Sequence, residues 1–216
     1  MSEAMRIERI PSAEERRAFY EAISARPMTD FLYARPFQRA RFARIQALLS
    51  VMLPLCGDVL EIGSCEGKLT EWLVEQGVRV TAVEISGPCL ERAMVRIPGK
   101  QVEWIHGDIA AVLADFVQDR RTFNLTIATS VLEHQVDPYG LMEQLRGVSD
   151  IVLASVPISE APNENAFNVA AYSNPKRVAD GTGHIWYFRP ATIKALFEQV
   201  YHYEDDGISA ILVGAP

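Results

Sequence analysis

Residues 58–68 read DVLEIGSCEGK. Val59, Leu60 and Ile62 make a short strand apolar on both faces, and Gly63 to Gly67 make a tight turn into a helix that begins at Lys68. Glycines bracketing such a turn let backbone approach a ligand where a Cβ would stand in the way. The unit then repeats. Residues 79–86, 101–108, 123–131 and 150–156 are further apolar strands, and the spacing predicts helices over 68–76, 88–95, 109–116 and 139–147 between them. Strand and helix in alternation predict a parallel sheet covered on both faces. A helix is expected over 190–200. Strands at 201–206 and 208–214 are joined through Asp206-Gly207, which leaves no room for a crossover, so these two are antiparallel. The expected fold is α/β, a doubly wound seven-stranded mostly parallel sheet with one antiparallel edge strand. Sheets of this kind take ligands at the carboxyl ends of their strands, where strand order reverses.

Residues 1–54 read as an N-terminal helical cap. Ser12-Ala-Glu-Glu is a helix-start signature for a helix running to about Ser24, Arg26-Pro27 ends it, and a second helix fits 36–50. The sheet domain is then 55–216, with a loop or lid insertion at 158–184 rich in Asn, Ser, Pro and Gly. With 49% hydrophobic and 23% charged residues, the 216-residue chain has enough apolar surface to bury a core. Three cysteines, Cys56, Cys65 and Cys89, make neither a disulfide framework nor a zinc pattern. The N-terminus is too charged for a signal-peptide core, and no run approaches the ~20 apolar residues of a membrane span. The expectation is a cytoplasmic protein with no membrane span. The net charge of −7 argues against nucleic acid as a partner. Residues 1–46 nevertheless hold nine Arg, no Lys and only six acids. That set reads either as a solvated amphipathic face or as planar forks for a phosphate or carboxylate.

Five segments, in order, resemble the class I S-adenosylmethionine-dependent methyltransferases of the small-molecule branch: VLEIGSCEG (59–67), VTAVEIS (80–86), HGDIAAV (106–112), NLTIATSVLEHQVDP (124–138) and GHIWYFRPATIKALFE (183–198). The resemblance implies S-adenosylmethionine as cofactor. It implies a methionyl ammonium near Glu61, a turn formed by Gly63, Ser64, Cys65 and Gly67, and ribose hydroxyls on Glu84 beside Ile85. It also implies an adenine amino group facing Asp108 beside Ile109, and Ser130 and Val131 at the fourth strand's end. Cys65 stands where the family usually has glycine. A dinucleotide fingerprint would need glycine at Cys65 and Lys68, which speaks against an NAD-dependent oxidoreductase. A non-catalytic partner subunit of the same fold stays open as the alternative.

Methyl transfer to oxygen or nitrogen often needs a proton removed, and histidine does that near neutral pH. His134, after the fourth strand, and His184, before the last helix, are the candidates; each reads as general base or as hydrogen-bonded structural residue. His106 reads as structural and His202 as exposed on the edge strand. Tyr20, Tyr33, Arg39, Trp186 and Tyr187 are the candidate acceptor contacts. No cluster of Asp and Asn beside the cleft suggests a metal. The expected activity is methylation of a small metabolite, sugar or natural-product acceptor, with an anionic one favoured by the Arg-rich cap; the oligomeric state is not legible.

Overall fold

The structure, a computed structural model, describes residues 12–28, 35–99, 101–158 and 188–216. Tyr33, His184, Trp186, Tyr187 and most of the expected 158–184 insertion lie outside the described residues. Helix α1 (Ala13–Ile23) starts at a complete capping box, Ser12 accepting from Glu15 N–H and Glu15 accepting from Ser12 N–H. Helix α2 (Pro36–Met52) has Pro at its first position and runs into a short 3₁₀ turn, Leu53–Leu55.

The sheet elements follow: β1 (Asp58–Ile62), α3 (Lys68–Glu75), β2 (Arg79–Glu84), α4 (Gly87–Arg96), β3 (Val102–His106), α5 (Ile109–Gln118), β4 (Phe123–Thr129), a 3₁₀ turn (Leu132–His134), α6 (Pro138–Arg146), β5 (Ser149–Pro157), α7 (Pro190–Lys194), β6 (Gln199–Asp205) and β7 (Ser209–Ala215). The seven strands lie in the order β3-β2-β1-β4-β5-β7-β6. Strands β1 to β5 are mutually parallel, and β7 runs antiparallel to both β5 and β6. The reversed strand β7 thus sits one place in from the edge, which β6 occupies. Strand order reverses between β1 and β4, so their carboxyl ends open the crevice that a doubly wound sheet offers to a ligand.

Side chains alternate across the sheet with period two. Leu60, Ile62, Val152, Ala154 and Leu212 join the core under α5, α6 and α7. Val59, Leu125, Ile127, Leu153 and Ile211 join the core under α2 and α3. Ile45, Leu49 and Leu53 belong to that second core, so α2 is part of the layer that buries the sheet as well as a cover for the cleft.

The strands end earlier than their hydrophobicity suggests. Strand β2 stops at Glu84 because Ser86 turns to cap α4, accepting from Cys89 N–H. Strand β4 stops at Thr129 because Ser130 adopts a left-handed φ of 55°. The helix expected over 190–200 stops at Lys194. Leu196 and Phe197 N–H make tight bonds to Ile193 and Lys194 C=O, and from Glu198 onward the backbone pairs with β7 instead. Among the described residues no helix is long and apolar enough to cross a membrane.

Leu49 is fully buried. Leu49→Ala should cost about 2–5 kcal/mol in urea unfolding, a loss that a helix merely draped over the cleft would not produce.

Candidate active site

The site is built where β1 and β4 end. Gly63 has a φ of +71°, and a Cβ there would stand 2.6 Å from Val131 Cγ2. Glycine is therefore required twice over, by conformation and by contact. Gly63 and Ser64 N–H both donate to Val83 C=O, which ties the turn to β2. Cys65 follows with a φ of 51°, the backbone that the family's usual glycine would adopt freely. Its N–H donates to Glu84 at 2.8 Å, and Ser86 N–H donates to the other Glu84 oxygen at 2.8 Å. Gly67, also left-handed, caps α3 and packs toward Ala93 rather than facing the crevice.

The crevice is a cavity of about 420 Å³. Of the residues expected to hold a cofactor, all but Gly67 line it: Glu61, Gly63, Ser64, Cys65, Glu84, Ile85, Asp108, Ile109, Ser130 and Val131. Glu61 and Glu84 are 2% and 6% exposed. Burial lifts Glu61 to about 8, with the nearby Glu84 adding to the rise and the Thr70 hydroxyl, which donates to Glu61 at 2.6 Å, working against it. Burial also pushes Glu84 above the usual carboxylate range, against the N–H groups of Ser86 and Cys65. Ser64 Oγ is buried and, among the described residues, without a hydrogen-bond partner. Asp108 caps α5 through Ala110 N–H and pairs with Arg16 of α1 at 2.7 Å.

Helix α1 is fastened over this cavity by contacts that sequence reasoning did not anticipate. Besides the Arg16–Asp108 pair, the Ser24 and Ser86 hydroxyls touch. Arg92 donates to Ser24 C=O at 2.6 Å and to the buried Glu66 at 2.7 Å. Glu66 in turn accepts from Met28 N–H at 2.6 Å. These partners are 26 to 92 residues apart, so no local pattern announces them.

On the β4 side, Tyr20 and His134 both line the cavity, their rings edge to face at 6.0 Å between centroids. Arg39, expected as an acceptor contact, is exposed and is not among the residues lining the cavity; Arg41, two residues and about 200° further round the helix, is. Arg35 lines it as well. Glu133 was not anticipated. It is fully buried, and burial pushes it above the usual carboxylate range against the opposing charges of His134 and Arg41 and hydrogen bonding from its own backbone and Ser130. Its signal was present as the Glu of Leu132-Glu-His134, within a segment already read as part of the site. His106 Nε2 donates to Ile85 C=O, 3.0 Å away, and lies outside the cavity lining, while His202 is partly exposed on β6.

The comparisons agree with this fold. Residues 37–200 match the model of a family described as a methyltransferase domain. Uncharacterized methyltransferases of Mycobacterium tuberculosis and Mycobacterium bovis are 31% identical over 103 residues, 47% of this chain and 50% of theirs. The chain thus spans about half the length of the curated relatives it matches. Among solved structures, the DhpI–SAH complex superposes with a TM-score of 0.67 at 19% identity, covering 94% of this chain and 97% of that one. The SAH-bound N-terminal domain of EvdMO1 gives 0.61 at 19% identity, covering 88% and 84%. The SAH-bound magnesium protoporphyrin IX methyltransferase of Synechocystis gives 0.58 at 16% identity, covering 91% and 92%. At these identities the likeness is one of fold. The family match covers most of the chain, and the chain belongs to the methyltransferase-domain family, with the class I Rossmann-like architecture.

Proposed function

We propose that this chain transfers a methyl group from S-adenosylmethionine to an oxygen or nitrogen of a small acceptor, anionic acceptors included. The observation that carries the reading is the convergence of Glu61, Glu84 and the unpartnered Ser64 hydroxyl on one cavity at the point where strand order reverses. Buried acids without cations suit a ligand that brings positive charge and hydrogen-bond donors of its own. S-adenosylmethionine brings an ammonium, a sulfonium and two ribose hydroxyls, so the residues fit it. Glu61 would hold the ammonium. Glu84 would accept from the ribose, since each of its oxygens has one backbone N–H and a further lone pair. Asp108, tied to Arg16 and Ala110, would face the adenine amino group, with Ile85 and Ile109 beside it. When bound, the cofactor supplies an electrophilic methyl group.

The chain's own work is then to align an acceptor and take its proton. Alignment alone can contribute about 7–11 kcal/mol. His134, on the acceptor side with Tyr20, is the proposed base for an O–H or N–H nucleophile. Arg41 is the proposed contact for an acceptor carboxylate or phosphate.

His134→Ala should lower kcat by about 10²–10⁴-fold and leave the Kd for S-adenosylhomocysteine unchanged; lost affinity instead would assign His134 a structural role. Arg41→Ala should raise the KM of an anionic acceptor about tenfold or more, whereas Arg39→Ala should not. With Glu61 near 8, its carboxyl carries a proton at pH 6–7, and an ammonium beside it favours the ionised form. Binding therefore releases a proton, and affinity rises with pH between about 6 and 7.5. Calorimetry in buffers of different ionisation heat should report that proton, and Glu61→Gln should abolish it. Absence of S-adenosylhomocysteine binding by the folded chain at millimolar concentration overturns the whole reading.

A further inference from the structure

Cys65 and Cys89 come from two different elements, the turn after β1 and the first turn of α4, and their sulfurs are 3.7 Å apart. Both residues line the cavity. Arg92 brings Nη2 to 3.9 Å from Cys89 Sγ. Cys89 also lies at a helix N-terminus, where backbone N–H groups favour an anion. We propose that Cys65 and Cys89 form a dithiol modification site in the wall of the cavity, oxidised to a disulfide by a hydroperoxide and restored by a thiol reductant. The roles divide by environment. The Cys65 thiol donates to Cys89, which holds Cys89 below the ordinary thiol range, with the Ser86 and Ser24 hydroxyls helping and burial and Glu84 opposing. The same contact, with burial, pushes Cys65 up. Cys89 is thus the attacking sulfur and Cys65 the resolving one.

The chemistry balances in two steps. Cys89 thiolate attacks the peroxide, the O–O bond breaks, a sulfur–oxygen bond forms, and the second peroxide oxygen leaves with a proton as water or alcohol. Cys65 then attacks the sulfenic sulfur; the S–S bond forms, the S–O bond breaks, and water leaves with the Cys65 proton. Two thiols lose two electrons and two protons, and one peroxide is reduced.

Closing 3.7 Å to the about 2.05 Å of a disulfide draws the turn toward α4. Cys65 N–H and Ser86 N–H, both on Glu84, flank that movement. Resting on the proposal that this cavity holds the adenosyl cofactor, the disulfide weakens its binding.

The test uses the full chain treated with hydrogen peroxide. Of its three cysteines, one titratable thiol, Cys56, should remain. The mass should fall by about 2 Da, two hydrogens, and peptide mapping should link Cys65 to Cys89. The Kd for S-adenosylhomocysteine should rise about tenfold or more, and a thiol reductant should reverse every change. Cys89→Ser should show a Kd that peroxide does not alter, whatever its starting value. Three titratable thiols after treatment, a link through Cys56, or a disulfide with unchanged Kd overturns the proposal. If the reduced chain binds no S-adenosylhomocysteine, the cofactor reading fails by itself, and the thiol count and mapped link still decide whether the dithiol site exists.

Discussion

The contact between Gly63 and Val131 governs the site. The turns after β1 and β4 come together only because the first residue beyond β1 has no side chain. A Cβ at that point would push the two strand ends apart at the crevice where order reverses. The loops on either side carry the strain of this closeness. Cys65 and Ser130 both hold left-handed backbone, a conformation that costs a non-glycine residue about 1–3 kcal/mol and is maintained here by the surrounding bonds. Cys65 is held by Glu84, and Ser130 donates its N–H to Ser155 C=O at 2.7 Å.

Into this narrow place the fold puts four buried acids; Glu66 pairs with Arg92, and Glu61, Glu84 and Glu133 remain. A buried carboxyl costs folding free energy unless it is neutral or partnered, and all three respond by holding protons more tightly than exposed acids do. Glu61, Glu84 and, through Ser130, Glu133 each have hydrogen bonds that offset part of the cost. A cavity assembled this way gains most from a cationic guest. Glu61 and Glu84 lie where a charged methyl donor is proposed to sit.

How far these features could be read beforehand follows from how local they are. Glu61, Gly63, Glu84 and Asp108 lie at strand ends, and strand ends follow from apolar periodicity; their place in the cavity was legible before any coordinate. The cap at Ser12 is likewise a matter of three residues, whereas Ser86, read as the end of a strand, turns out to cap α4. Which of Arg39 and Arg41 faces the cavity was not legible, because the phase of α2 is set by which of its residues enter the core. With Ile45 and Leu49 buried, Arg41 turns inward and Arg39 outward. The clamp of Arg92 on Glu66 and Ser24, and the meeting of Cys65 with Cys89, join segments whose distance in space depends on how α4 packs beside the turn. Composition and spacing contain no trace of that packing.

The placement of charge also constrains what the site can accelerate. In methyl transfer from a sulfonium, the positive charge on the donor disappears as the bond to the acceptor forms. Acids close to the reacting atoms stabilise the bound donor more than the transition state, and so tighten binding without raising turnover. Rate must then come from the in-line placement of the acceptor and from loss of its proton. The structure separates these tasks. Glu61 and Glu84, on β1 and β2, lie on the side where the distal ammonium and ribose are proposed to bind. Tyr20, Arg41 and His134 line the β4 side, the first two supplied by the helices that precede the sheet. Binding energy gathered at one side can hold the donor still, while the other side is free to vary with the acceptor. On the proposed function, the N-terminal helices, more than the sheet, would decide which acceptor is methylated.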